Sequence, residues 1–193
     1  MALVEWNDSM SVGDPAIDRD HRMLIGDVNN IGRAWGAGKQ KQTINLMTAK
    51  LLNDAKEHFR REEVRLKSSG HVDFDGHKRQ HLDLLYALRK FRNKYDKEPA
   101  LLSLGAINFL VLWLMYHILE SDKPAAAAIG LADAPSNQTF DWSVIEEAGS
   151  VYGLNLVRPR RLSPSDSRLP TAVTSRRAVA GYSYRAHRTD AGQ

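Results

Sequence analysis

The chain has 193 residues, 42% hydrophobic and 26% charged, with no cysteine and a formal net charge of +4. That length can bury a full core and suggests one domain with an appendage, while the lack of thiols excludes disulfides, iron–sulfur clusters and thiolate zinc sites, so any metal must use His, Asp or Glu. The charge is uneven: residues 149–193 carry eight arginines against Asp166 and Asp190, a local +6 that leaves −2 on residues 1–148.

The opening MALVEWNDSM has neither a basic start nor an apolar run of signal-peptide length, so a cytoplasmic protein is expected. Residues 1–17 are expected to form an extended arm punctuated by Trp6, Gly13 and Pro15. A first helix is predicted from about Asp18, with Leu24, Val28 and Ile31 at helical spacing, fading at Gly36 and Gly38. A second is predicted from about Gln42 to Lys67, carrying Ile44, Met47, Leu51, Leu52 and Ala55, and ending at Ser68-Ser69-Gly70. A third runs from about Asp75 to Tyr95 with Leu82, Leu85, Leu88 and Phe91 inward, and Pro99 breaks the chain after it. A fourth spans about Ala100 to Asp122, with Pro124 just past its end. No segment alternates over strand length. Four long helices with short connections predict an all-α, antiparallel up-down four-helix bundle over residues 1–131.

Residues 101–119 run for nineteen positions without a charge, a length that could cross a bilayer. Asn108 and His117 interrupt the run, and polar groups in lipid are expensive, so a helix buried on nearly all sides is preferred. Its face opposite His117 includes Leu101, Leu104, Leu112 and Met115. Either a second copy of the chain, as a homo-oligomer through this helix, or residues 125–157 is expected to cover it. Residues 132–193 form a C-terminal extension. Phe140, Trp142, Val144, Ile145, Tyr152 and Leu154 allow a short packed element, and the Arg-, Ser- and Pro-rich stretch from Arg158 predicts disorder. Its arginines suit nucleic acid or an anionic surface. No aromatic interleaving accompanies them, so a solvated tail is the preferred reading.

The polar residues on the four helices form a pattern. His21 opens the first helix, and HFRRE places His58 and Glu62 on the second. HKRQH places His77 and His81 on the third, and HILESD places His117 and Asp122 on the fourth. A step of four residues is about one helical turn, so each such pair shares a face. His71 and His187 lie outside the set. Any one of these histidines is unremarkable alone; their joint placement at one depth of an antiparallel bundle points to a metal centre.

Five imidazoles and two carboxylates exceed the needs of one ion, but suit two octahedral ions sharing both carboxylates. Imidazole suits iron, copper, nickel and zinc, and bridging carboxylates favour a hard pair such as iron. The HExxH of zinc hydrolases is absent, as is the Glu-x-x-His repeat of ferritin-like sites. His117 and Asp122 pose a geometric problem: five residues apart, they diverge by about 140° on an ideal helix. A π-type turn would bring them together, and so would a helix that loosens before Pro124; the sequence leaves both open.

The order His21, HxxxE, HxxxH, HxxxxD resembles the hemerythrin family, its bacterial members most closely. The contexts SVGDPAIDRDH, KEHFRREE and WLMYHILESDK, together with Trp6, carry the same resemblance, which covers about residues 3–130. The chain departs from the family pattern at His71, where a tyrosine is usual, and at Asp14, often apolar. The resemblance reinforces the up-down bundle. It also implies that His77, His81 and His117 hold one iron, that His21 and His58 hold the other, and that Glu62, Asp122 and a solvent-derived oxo or hydroxo group bridge them. It implies dioxygen as the ligand, taken up at an open position on the two-histidine iron, beside pocket residues Leu24, Phe59, Trp113, Leu114 and Ile118. Each of these five also reads as plain core.

The function expected is reversible dioxygen binding for transport, storage or sensing, without catalysis. Two other classes are weighed against it. One is a diiron protein that processes peroxide or nitric oxide, disfavoured because no proton relay into the pocket is evident. The other is an oxygen-sensing interaction module with the basic tail as its output.

Overall fold

The computed structural model describes residues 3–132, apart from the side chains of Leu101 and Leu104. The chain divides into units of residues 1–160 and 161–193, and every described residue belongs to the first. The packed element expected within 133–157, the tail from Arg158 and the extension as a whole lie outside the described residues, apart from Ala132. The described elements are α1 (Pro15–Gly36), α2 (Lys41–Ser68), α3 (Phe74–Lys97), α4 (Leu104–His117), a π-turn (Ile118–Asp122) and α5 (Lys123–Ala128). Among the described residues the fold is all-helical.

Local chemistry sets the helix ends. Asp14 caps α1 by accepting the backbone N–H of Ala16 at 2.9 Å, and Pro15 occupies the first turn. The helix therefore starts at Pro15, ahead of the Asp18 expected, because the proline opens the helix instead of preceding it. This also gives the unusual Asp14 a role. Gly38 and Gly70, at φ +63° and +70°, reverse the chain after α1 and α2. The fourth helix departs further from expectation. A 3₁₀ turn at Pro99–Leu101 precedes it, Ser103 caps it at 3.3 Å from the Ala106 N–H, and helical backbone continues past Asp122 to Ala128. Pro124 is tolerated there because the π-turn restarts the helix, placing the proline in a first turn.

Successive helices run antiparallel. Across α1 and α2, Asp14 meets Arg65 at 3.2 Å, Asp20 meets Arg61 at 2.7 Å and Asp27 meets Lys50 at 2.8 Å. Across α2 and α3, Lys41 meets Asp96 at 3.6 Å and Glu63 meets Lys78 at 3.7 Å. The fourth helix closes the bundle on α1, with His21 beside Asp122 at one end and Gly32 beside Ile107 at the other. This is the antiparallel up-down four-helix bundle expected.

One apolar core fills the bundle, with Leu24, Val28, Ile31, Leu51, Leu88, Ile107 and Leu110 fully buried. Leu82, expected inward, is 58% exposed. The inward face of α3 is set by His77, His81, Leu88 and Phe91, all buried. Leu82 follows His81 by one residue, about 100° around the helix, and so turns to solvent. Among the described residues no helix is long and apolar enough to cross a membrane. On the outer face of α4, Met115 is buried and Leu112 is half-buried.

The N-terminal segment is more structured than the extended arm expected. A 3₁₀ turn forms at Asp8–Met10, capped by Asn7, whose Oδ1 accepts the Ser9 N–H at 3.0 Å. Ahead of it, Asn29 of α1 accepts from the N–H of Leu3 at 2.7 Å and of Val4 at 3.2 Å, and donates to the Val4 carbonyl at 2.7 Å. Gly32 permits this close approach, since a Cβ there would lie 2.4 Å from Leu3 Cδ1. The arm continues to Trp6, whose ring lies 4.3 Å beneath the Arg22 guanidinium. Asn29→Ala is expected to free the arm and cost about 1–3 kcal/mol, the range for a lost buried hydrogen-bonding group. Urea unfolding would give the loss, and limited proteolysis should show new cleavage within residues 3–12.

Candidate metal centre

Each of α1 to α4 brings at least one imidazole to a single layer of the bundle. His21, His58, His77, His81 and His117 are all buried, as are Glu62 and Asp122. Glu62 and His58 lie one turn apart on α2, and His77 and His81 one turn apart on α3. His117 and Asp122 face one another because of the π-turn, the first of the two remedies left open by the sequence. His117 Nε2 lies 3.0 Å from Asp122 Oδ1.

The contacts organise around the two carboxylates. Asp122 Oδ2 lies 3.0 Å from His21 Nε2 and 3.9 Å from His58 Nε2. Its Oδ1 lies 3.0 Å from His117 Nε2 and 3.5 Å from His77 Nε2. Glu62 Oε2 lies 3.1 Å from His81, 3.3 Å from His77 and 3.9 Å from His58. Two sets of potential ligands result: His58, Glu62, His117 and Asp122, and Glu62, His77, His81 and Asp122, with the ligand atoms of each set within 4.8 Å of one another. Both carboxylates belong to both sets. Proximity thus groups His117 with His58, whereas its shortest contact, on Asp122 Oδ1, groups it with His77. His21, 3.0 Å from Asp122 Oδ2, belongs to neither set.

Apart from the hydrogen bond between His21 Nε2 and Asp122 Oδ2, these atoms are close without being hydrogen-bonded. The Nε2 atoms of His58, His77, His81 and His117, with Glu62 Oε2 and Asp122 Oδ1, are all buried and lack a hydrogen-bond partner. Buried polar atoms are rarely left so. Here they sit side by side, misaligned with one another. A cation between them would satisfy them together, so the residues present fit a metal centre.

The electrostatics agree. Burial alone would raise both carboxyl pKa values. Against it, His77 and His81 hold Glu62 well below the usual carboxylate range, despite repulsion from Asp122; His117, His21 and His58 do the same for Asp122. Burial works to lower the His58 pKa, but Asp122, Asp20 and Glu62 prevail and lift it to about 9. For His117 burial wins, and its pKa falls to about 4 despite Asp122.

Two carboxylates outside this layer face its imidazoles, and sequence spacing does not single them out. Glu63 Oε1 lies 3.1 Å from His81 Nδ1. Asp20 Oδ2 lies 3.7 Å from His58 Nδ1 and accepts from Arg61 Nε at 2.7 Å. Burial would raise the Asp20 pKa, but His58 and Arg61 hold it at about 2. Carboxylates in this position fix the orientation of a ligating ring. Each adjoins an inward-facing residue in sequence yet serves a histidine on another helix, so it carries no periodic signal of its own. His71, set aside in the sequence, is also buried, its ring 6.2 Å from that of His77 and its Nδ1 without a partner. His187 lies outside the described residues.

The five expected pocket residues, Leu24, Phe59, Trp113, Leu114 and Ile118, are all buried in the core. Phe59 stacks on His81 with centroids 4.1 Å apart and meets His117 edge-on at 4.9 Å. The wall beside the polar layer is therefore apolar.

Comparison with known proteins agrees with this geometry. Residues 12–129 match the profile of the hemerythrin HHE cation binding domain family. The chain is 27% identical over 125 residues to a bacteriohemerythrin of Clostridium acetobutylicum, covering 61% of this chain and 95% of the relative. It is 26% identical over 126 residues to the bacteriohemerythrin of Methylococcus capsulatus, covering 64% and 94%. It is 24% identical over 118 residues to a myohemerythrin of Theromyzon tessulatum, covering 61% and 87%. The chain belongs to the hemerythrin HHE cation binding domain family.

In the metal-free chain His58 keeps its proton up to a pH of about 9, so below that pH a metal must displace it. Affinity for ferrous ion is expected to fall about tenfold per pH unit between about pH 8.5 and 7, one displaced proton's worth. It should fall more steeply as further imidazoles protonate. Anaerobic titrations at constant ionic strength measure this, and a flat profile would contradict the assignment.

Proposed function

We propose that this member of the hemerythrin family holds two iron ions and binds dioxygen reversibly, as a carrier, store or sensor, without net catalysis. The observation that supports it most is the way Asp122 divides the imidazoles, with His21 and His58 at one oxygen and His77 and His117 at the other. On this reading His77, His81 and His117 hold one iron, and His21 and His58 hold its neighbour. Glu62 and Asp122, which belong to both sets of potential ligands, would be shared between the two ions. The two-histidine side has one protein ligand fewer, which leaves room for a diatomic molecule. Such a pair, when bound, would supply the reversible electron transfer that dioxygen binding requires.

The chain's own residues do the rest. Glu63 orients His81 through its outer nitrogen, and Asp20 faces the outer nitrogen of His58. Leu24, Phe59, Trp113, Leu114 and Ile118 exclude the water and protons that would help a reduced ligand leave and strand the metal oxidised. The same apolar wall disfavours turnover of peroxide or nitric oxide, which needs proton delivery. The names of the relatives, bacteriohemerythrin and myohemerythrin, agree with this reading.

The test is iron quantification combined with absorption spectra of the reduced protein before and after oxygen is admitted. About two irons per chain are expected, with a visible band that appears with oxygen and fades on its removal. Sustained consumption of reductant and oxygen would favour the catalytic alternative. His77→Ala is expected to lose iron and much stability, because metal binding and folding are linked. A His77→Ala protein that keeps two irons and oxygenates fully would overturn the assignment of that residue.

A further inference from the structure

We infer that Ser121 and Gln80 are positioning residues: the hydrogen bond between their side chains holds the π-turn in shape and so keeps Asp122 turned toward the metal centre. This rests on the reading above, that the converging side chains hold metal. The π-turn is the one element of the described bundle that helical periodicity does not provide. In an unbroken α-helix Asp122 would point about 140° away from His117, and one of the two carboxylates shared by both ligand sets would be lost. π-turns are rare because their backbone geometry is less favourable than the α-helix. Something outside the turn must hold it.

The structure supplies one such tie. Ser121, buried within the turn, donates its hydroxyl to Gln80 Oε1 at 2.6 Å, across 41 residues of sequence. A helical serine commonly bonds back to a carbonyl of its own helix; this one reaches out to α3. Gln80 lies between His77 and His81, so the tie runs from the turn that carries Asp122 to the helix that carries two of the imidazoles. The chemistry of Ser121 and Gln80 is spent on each other, at the point where register decides whether the centre is complete. If the turn relaxed to α-helix, Ser121 would rotate away from α3 along with Asp122.

Ser121→Ala and Gln80→Met each remove the tie, from opposite partners, and Ser121→Thr keeps a hydroxyl. The full chain is titrated anaerobically with cobalt(II) alone, following stoichiometry and the visible cobalt spectrum, alongside circular dichroism of the metal-free protein. Ser121→Ala and Gln80→Met should stay helical, bind at least one cobalt about tenfold more weakly, as for other outer-shell losses, and show an altered spectrum. Ser121→Thr should match wild type. If Ser121→Ala fails to fold, Gln80→Met, at a half-buried position, still decides the matter. Wild-type affinity and spectrum in the folded removal variants would overturn the proposal, even with a lowered melting temperature, since that outcome marks the bond as merely structural. A wild-type chain that takes up no pair of cobalt ions would instead overturn the reading of the centre itself.

Discussion

Two carboxylates buried in the middle of an apolar bundle are the constraint on which the rest of this structure turns. Moving a charge out of water costs several kcal/mol even after relaxation, and Glu62 and Asp122 are both buried within the core. The chain answers with five imidazoles in contact range of their oxygens. Without metal, protons on some of those rings balance the carboxylates, as the raised His58 pKa shows, while His117 stays neutral under its own burial. With metal, the cation replaces the protons. The centre thus needs positive charge from one source or the other, and the competition between them ties metal affinity to pH.

This requirement fixes how each helix is rotated. α2 must present His58 and Glu62 together, and α3 must present His77 and His81, so the apolar residues of each helix arrange themselves around those positions. Leu82 is exposed for this reason, although its type suits a core. The outer faces then carry the charges that the core cannot hold. Along α1 and α2 these form a seam from Asp14–Arg65 through Asp20–Arg61 to Asp27–Lys50–Asp54. Solvent-exposed pairs of this kind contribute little stability singly. Asp20 differs because it faces both ways, bonded to Arg61 outside and close to His58 Nδ1 within.

Much of this was legible in the sequence because it follows from helical periodicity. The steps of four from His58 to Glu62 and from His77 to His81 suffice to put each pair on one face, and the inward position of Leu24, Val28 and Ile31 follows from the same rule. What was not legible depends on contacts between elements or on backbone choices that composition leaves free. The step from His117 to Asp122 allowed either a π-turn or a frayed end, since both reconcile the spacing. Pro15 and Pro124 could each stop a helix or begin one, and only the preceding turn decides. Asn29 gives no sign in sequence that it holds the arm, and Asp20 and Glu63 face rings that lie far from them along the chain.

The two sides of the polar layer have different surroundings. On one side His21 lies near Trp6 of the arm, ring centroids 6.4 Å apart, with Arg22 stacked on the indole. On the other, His77 lies near the buried His71, beyond the turn that ends α2. An arm pinned by Asn29 and admitted by the space at Gly32 therefore packs against the side where room for a ligand is proposed, and a loop closes the other. A four-helix bundle alone would treat its two sides alike. Here the arm, the loop and the π-turn, all outside regular helical geometry, supply the differences that the proposed open position would require.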